Sequence, residues 1–384
     1  MTKGMSWKNF HIGKVLFLGG AYCALSAGSG FGSGQELTQY FVVHGPSSLI
    51  GLWITQIITL LFGVMLIMDT RKYGLKSLDD VYQHYCGKVI GKIVWVFNIA
   101  YLLGMAAVMI AGAGANFAQY FNMDSTIPGR ILMSIVVFIT CLLGLKKLLN
   151  VNGVLGPIII AFVLLISVLS LVFPSDGIAL GAEFISKAHG LAVSENPFIS
   201  NLLYTTMCIL FQAPYWHGCA ANDPNTTEDT VGSCVIGSLV FISVQTVSVL
   251  AMIANASTLN GVQVPNLALG QRFSPIIAAL FGLILMFAIY TTTIPMVWSF
   301  TNAFAEEKTK KYNIIIAGVV VVSFIISGFG AFDALLNIVL GACGYFAVLY
   351  VFPFLYTRFI RKSVVPDVVP ELVSAKLMKE SASK

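Results

Sequence analysis

Ser26-Ala27-Gly28-Ser29-Gly30-Phe31-Gly32-Ser33-Gly34-Gln35-Glu36 decides how this chain is to be read. Four glycines stand at every second position, flanked by serines, inside an apolar run of about 31 residues from Gly13 to Val43. Each glycine costs a helix ~1 kcal/mol relative to alanine, and each lets an unwound backbone turn without steric penalty. The run is also longer than one straight bilayer crossing needs. A break near 28–33 is therefore predicted, with a half-helix on either side. Irregular backbone at membrane depth is tolerated only where it lines a cavity or lies inside protein. The competing reading is close helix packing, because Gly28-x-x-x-Gly32 and Gly30-x-x-x-Gly34 both have the small-residue spacing. Packing alone does not account for Gln35 and Glu36 directly after it.

The rest of the chain supports a membrane setting. Of 384 residues, 57% are apolar and only 10% are Asp, Glu, Lys or Arg, with a mean hydropathy of +0.85. A soluble fold of this size would lack a polar shell. Disordered chains, nucleic-acid binders and cytosolic enzymes are excluded, so no nucleic-acid partner is expected. Ten apolar runs are predicted to span, near 13–43, 47–69, 92–120, 129–146, 151–173, 199–217, 231–254, 274–300, 312–329 and 333–357. Connections are short except for two of roughly 20–25 residues, at 174–198 and 255–273. With the N-terminus inside, nineteen of the 22 Lys and Arg residues fall on the cytoplasmic side. Only Arg130, Lys187 and Arg272 fall outside. That asymmetry predicts ten crossings with both termini cytoplasmic.

Ala24-Leu25-Ser26-Ala27 has the small residues of a signal cleavage site, but cleavage there would remove half of span one and upset this parity. None of the seven cysteines lies in an outward loop, so no disulfide framework is expected. No pair has zinc-site spacing.

Span six carries a second irregularity, Gln212-Ala213-Pro214-Tyr215-Trp216-His217-Gly218. Proline in a helix interior removes a hydrogen bond and clashes with the preceding turn. The alternative is a simple kink. Spans one and six are the first members of two sets of five, and interrupted segments at corresponding places point to an inverted-repeat transporter with a central site. The expected organisation is one membrane domain over 1–384: a first repeat at about 12–173, a second at about 198–359, and a cytoplasmic tail at 360–384.

Gly28-Ser29-Gly30-Phe31-Gly32-Ser33-Gly34-Gln35-Glu36-Leu37-Thr38-Gln39-Tyr40-Phe41 resembles the signature G-x-G-F-A-S-G-Q-E-x-x-Q-F-F of the YkvI-like family of bacterial membrane proteins. Gly32 departs from it, standing where the family commonly has alanine. Pro265-Asn266-Leu267-Ala268-Leu269 and Thr291-Thr292-Thr293-Ile294-Pro295 also look like that family. More distantly, the chain is similar to the LeuT-type five-plus-five fold of the amino acid–polyamine–organocation superfamily. The resemblance implies an all-α polytopic fold with helices 1 and 6 broken. It implies that Gly28 and Phe31 offer carbonyls to a sodium ion, joined by the Ala288 carbonyl and the Thr291 and Thr292 hydroxyls. It also implies that Gly30, Ser33 and Gly34 bound a substrate site, with amides of Ser33 and Gly34 facing an anionic group at a helix N-terminus. The threonines have a plainer use, bonding back to their own helix ahead of Pro295.

Glu36 and His217 are the ionisable side chains nearest the bilayer middle, where charge is costly by ~2.5 kcal/mol or more. Glu36 is read as a proton site, as a ligand for a cationic group, or as a structural carboxylate. His217 could titrate near neutral pH or lie in water beyond Pro214. Gln35, Tyr101, Gln212, Tyr215 and Trp216 complete the expected substrate set. Gln56, Asn98, Asn116 and Gln119 read as interhelical glue.

The expected function is secondary active transport, in the bacterial plasma membrane, of a small organic solute such as an amino acid, a related zwitterion or an amine. Sodium, or a proton on Glu36, would drive it. No ATP-binding motif and no nucleophile–base or metal constellation is present in the sequence, so neither an enzyme nor a cofactor is expected. The alternative is a ligand-sensing receptor component, which spore germinant receptors resemble. Expected partners are the solute and membrane lipid, with the chain a monomer or weak homo-oligomer.

Overall fold

The glycine-rich run folds as three helical pieces. Helix α1 (Ile12–Ser26) ends where Ala27 leaves helical geometry (φ −87°, ψ 30°) and Gly28 becomes extended at ψ −170°. A five-residue piece, α2 (Ser29–Ser33), stops at Gly34, whose φ of +91° is a left-handed conformation costly to any residue with a Cβ. Helix α3 (Gln35–Tyr40) starts there, and a 3-10 turn at Val42–His44 follows.

The computed structural model describes residues 10–143, 149–188, 190–221, 226–305 and 309–360, and all regular structure among them is helical. The predicted tail beyond Ile360 lies outside the described residues, as do Lys146, Lys147 and Lys308. Every predicted apolar run contains a helix. After α4 (Ser48–Tyr73) and α5 (Leu78–Phe121) come α6 (Ile127–Leu143), α7 (Leu149–Val172), α8 (Gly177–Ala188) and α9 (Pro197–Ala221). Then follow α10 (Thr227–Ile253), α11 (Ala256–Leu259), α12 (Pro265–Phe273), α13 (Pro275–Asn302), α14 (Lys310–Ile326) and α15 (Phe332–Leu355). Among the described residues, Ser48–Tyr73, Leu78–Phe121, Thr227–Ile253, Pro275–Asn302 and Phe332–Ile360 are long and apolar enough to cross a membrane. A sixth candidate is Pro157–Val172 with Gly177–Ala188, bent by 100° at their junction. The two longer connections are not plain loops, because α8 occupies one and α11 and α12 the other.

Two local features follow from the sequence. Ser77 caps α5, accepting from the Asp80 amide at 3.1 Å while Asp80 accepts from the Ser77 amide at 2.9 Å. Gly87, with φ +73°, then separates a short first helix from the long apolar one.

The second predicted break is corrected. Gln212–Gly218 lies inside the continuous helix α9, with Pro214 in its interior. Proline removes only its own backbone bond, and Gln212 bridges the region. Its Nε2 donates to the Thr59 carbonyl at 2.7 Å, and its Oε1 accepts from Trp216 Nε1 at 3.2 Å.

The helices are inside-out relative to those of a soluble protein. On α4, Ile50, Ile54, Ile57 and Leu61 are exposed on one face, while Thr55, Gln56 and Thr59 are buried on the other. A continuous exposed apolar stripe with polar groups turned inward is what lipid demands. Helices α1 and α10 approach each other at a small-residue seam. A Cβ on Gly19 of α1 would meet the Ser233 carbonyl of α10 at 3.2 Å, and one on Gly237 would meet the Gly19 carbonyl at 3.1 Å. At one end of the bundle Asp69, 1% exposed, pairs with Arg358 and accepts from the Tyr85 hydroxyl at 2.7 Å.

At the other end, side-chain amides tie the first turn of α12 and the segment before it to the helix-1 pieces and to α5. Gln35 Nε2 donates to the Val262 carbonyl at 2.9 Å, and Asn266 Nδ2 donates to the Gly32 carbonyl at 3.0 Å. Gln119 exchanges two bonds with Val264, both 3.0 Å.

Candidate functional site

The interruption at Ala27–Gly28 opens on a small cavity of about 50 Å³ between α1, α5, α9, α10 and α13. The expected residues Gly28, Gly30, Glu36, Tyr101, Gln212 and Thr292 all line it. Its walls are otherwise mostly apolar and aromatic, including Met105, Met109, Met207, Phe211 and Phe241. No lysine, arginine or histidine lines it.

Glu36 is the one ionisable carboxylate on this surface, and its setting is specific. Its Oε1 accepts from the Tyr204 hydroxyl at 2.7 Å. Tyr204 in turn accepts from Gln245 Nε2 at 2.8 Å, and Gln245 Oε1 accepts from Gln56 Nε2 at 2.7 Å. Tyr204 and Gln245 are both fully buried, so this chain of bonds is shielded from competing water. Sequence reasoning missed Tyr204 and Gln245. A glutamine in the middle of the apolar run 231–254 was the available signal.

The other expected site residues are distributed around the cavity. Tyr215 and Trp216 stand behind it: Tyr215 donates to the Leu18 carbonyl, and Trp216 packs on Tyr22 with ring centroids 4.9 Å apart. Gln35 lines a separate, larger vestibule of about 250 Å³, together with Thr38, Met252, Val262 and Asp333. Ser33 donates to the Gly30 carbonyl at 3.0 Å, and the Gly34 amide is bonded to the Phe31 carbonyl at 2.9 Å. The amides after the break are thus partly engaged within the chain. His217 meets the Leu75 carbonyl at 3.1 Å and lies away from the cavity lining. Asn98 and Asn116 bond across to Tyr82 and to the Gly282 carbonyl, the interhelical role expected of them.

The threonine corner lies beside the break. A Cβ on Gly28 would sit 3.6 Å from Thr292 Oγ1. Thr291 and Thr292 both donate to the Ala288 carbonyl, at 3.1 and 2.9 Å. Thr293 instead donates to the Ile289 carbonyl at 2.6 Å. The carbonyls of Gly28 and Phe31 already accept amides, from Gly32 at 2.8 Å and Gly34 at 2.9 Å.

This all-helical arrangement, with its cavity at an interrupted first helix, has a LeuT-type fold. The chain is similar over 87% of its length to MhsT in complex with L-phenylalanine, at a TM-score of 0.59 and 12% identity, covering 88% of that chain. It is similar over 91% to a manganese transporter of Eremococcus coleocola, at 0.54 and 13%, covering 80% of that chain. By sequence it resembles two Bacillus subtilis (strain 168) proteins. The first is the uncharacterized membrane protein YkvI, 28% identical over 152 residues, which are 40% of this chain and 44% of YkvI. The second is the uncharacterized protein YyaD, 24% identical over 296 residues, 76% of this chain and 78% of YyaD. The matched stretch thus spans less than half the length of YkvI. No family model matches the chain. By sequence the chain is thus similar to YkvI and YyaD, and by fold to MhsT and the manganese transporter.

Proposed function

We propose that the chain is a secondary active transporter that moves a small organic solute across the plasma membrane, driven by a sodium or proton gradient. The observation that carries this reading is the cavity itself: an aromatic-walled pocket beside an interrupted helix, holding one oriented carboxylate. Charge inside a membrane is expensive and is kept where it serves a pathway. A metal-dependent or nucleophilic reaction finds no support in this lining, and we read the protein as a carrier rather than an enzyme.

On this reading the chain makes ten crossings in two inverted fives, about 12–173 and 198–359. The helix-1 pieces would then make one broken crossing, with both termini cytoplasmic and the Val262–Asn266 segment on the outer side. The larger vestibule is then the outer antechamber to the cavity. If sodium couples transport, the Thr291–Thr292 corner with the Ala288 carbonyl is where its oxygen ligands gather. If protons do, Glu36 is the group that carries them. Purified protein in proteoliposomes tests the proposal, by uptake of labelled solutes under an imposed sodium or pH gradient. Accumulation above the equilibrium level, abolished by an ionophore, is the expected result.

A further inference from the structure

The donors and acceptors around the inner cavity are unevenly committed. The Tyr204 hydroxyl is given to Glu36, Gln56 Nε2 to Gln245, Gln212 Nε2 to the Thr59 carbonyl, and Thr292 Oγ1 to the Ala288 carbonyl. Glu36 Oε2, by contrast, receives no hydrogen bond among the described residues. It faces Gly30, where a Cβ would come within 2.6 Å of it. The protein has spent these hydrogens and left an anionic oxygen over.

Resting on the transporter reading, we propose that the solute is a compact apolar primary amine, bound as its ammonium ion on Glu36 Oε2, with no place beside it for a carboxylate.

Three physical arguments support this. A carboxylate occupant would need donors or a cation: no lysine, arginine or histidine lines the cavity, and the hydrogens of Tyr204, Gln56, Gln212 and Thr292 are already given. It would also stand near a fixed negative charge in a medium of low dielectric, where like charges repel strongly. An ammonium group brings three donors and no acceptor, and meets an oxygen that lacks a donor. Second, an unpaired carboxylate within the membrane is costly; an ammonium group relieves that cost, a neutral occupant does not, and a zwitterion would leave its own carboxylate uncompensated in its place. Third, Tyr22, Tyr101, Phe211 and Phe241 surround the same space, and aromatic faces attract a desolvated cation. The small volume restricts the apolar part to a few carbons. Met105, Met109 and Met207 are the flexible side chains that would move to admit it.

The test uses the full-length protein in detergent and three solutes that share one carbon skeleton: isoamylamine, leucine and isoamyl alcohol. Isoamylamine at saturation should raise the melting temperature by roughly 5 °C, with leucine and the alcohol giving no shift. In Glu36→Gln, which keeps an acceptor for Tyr204, the amine shift should vanish while the unliganded melting temperature stays near that of the wild type. The wild-type comparison decides alone if that variant fails to fold. Leucine stabilising as strongly as isoamylamine overturns the proposal, and so does the absence of any response to the amine. A Glu36→Gln protein that keeps the full amine shift does the same. Proteoliposome uptake separates this from the broader reading. Amine binding without any uptake removes the transporter while leaving the site, and gradient-driven uptake of leucine removes the amine while leaving the transporter.

Discussion

Tyr204 donates its hydroxyl hydrogen to Glu36 Oε1 at 2.7 Å, and so fixes which of the two carboxylate oxygens is left to face the cavity. The chain continues through Gln245 to Gln56, joining α9, α10 and α4 behind the interrupted helix. Tyr204→Phe removes the donor to Glu36 and leaves Gln245 Nε2 without its acceptor. A buried polar group stranded in this way costs about 1–3 kcal/mol. We expect a lower melting temperature and solute binding about tenfold weaker, read by thermal unfolding and by titration of the purified variant. Unchanged affinity would mean that the Glu36 carboxylate needs no positioning.

The two glycines at either end of the α2 segment should behave differently. At Gly30 a methyl group would meet the end of the Glu36 side chain at 2.6 Å, so Gly30→Ala displaces a flexible carboxylate. We expect it to fold and to lose solute binding. At Gly34 the backbone is left-handed, and a Cβ would also run into Met252 and Pro265. Gly34→Ala should cost about 1–3 kcal/mol of stability. Size-exclusion profiles and melting curves of both variants check this. A Gly34→Ala protein as stable as the wild type would contradict the geometry.

Thr292→Val keeps shape and removes the hydroxyl nearest Gly28. If sodium is the coupling ion, the variant should lose sodium-stimulated uptake, whereas Thr293→Val should keep it, because that hydroxyl serves the Ile289 carbonyl. Uptake assayed in matched sodium and choline buffers is the measurement. Full activity of Thr292→Val at limiting sodium would remove the threonine corner from the mechanism.

Much of this was legible in the sequence, for identifiable reasons. Glycine has a strong and local effect on backbone freedom, so the run Gly28–Gly34 announced an interruption, and the following Glu36 announced a polar site. Proline is a weaker signal. Pro214 looked like a second break, yet α9 continues through it, because the side chain of Gln212 ties the turn to Thr59 and Trp216. Of the glycines in the run Gly28–Gly34, Gly28 and Gly30 line the cavity, whereas Gly19 and Gly237, which the pattern did not single out, bring α1 against α10. Tyr204 and Gln245 were hidden because their role depends on a partner more than 40 residues away, which periodicity within one helix does not reveal. The connection at 255–273 read as a loop because its helices are short, with nine residues in α12.

The charge asymmetry of the sequence predicts the orientation. A reporter fused after Lys384 should read as cytoplasmic, and single cysteines placed in 176–196 should react with an impermeant maleimide from outside intact cells. Labelling of that segment only after permeabilisation would reverse the orientation or change the number of crossings.

Gradient-driven flux through the purified protein tests the central claim most directly. Proteoliposomes are loaded, a sodium or pH gradient is imposed, and entry of a labelled small amine is followed over time in the wild type and in Glu36→Gln. The account predicts accumulation above the external concentration in the wild type, collapse on addition of an ionophore, and none in the variant. Entry that stops at equal concentrations regardless of either gradient, or that is indifferent to Glu36, would contradict it.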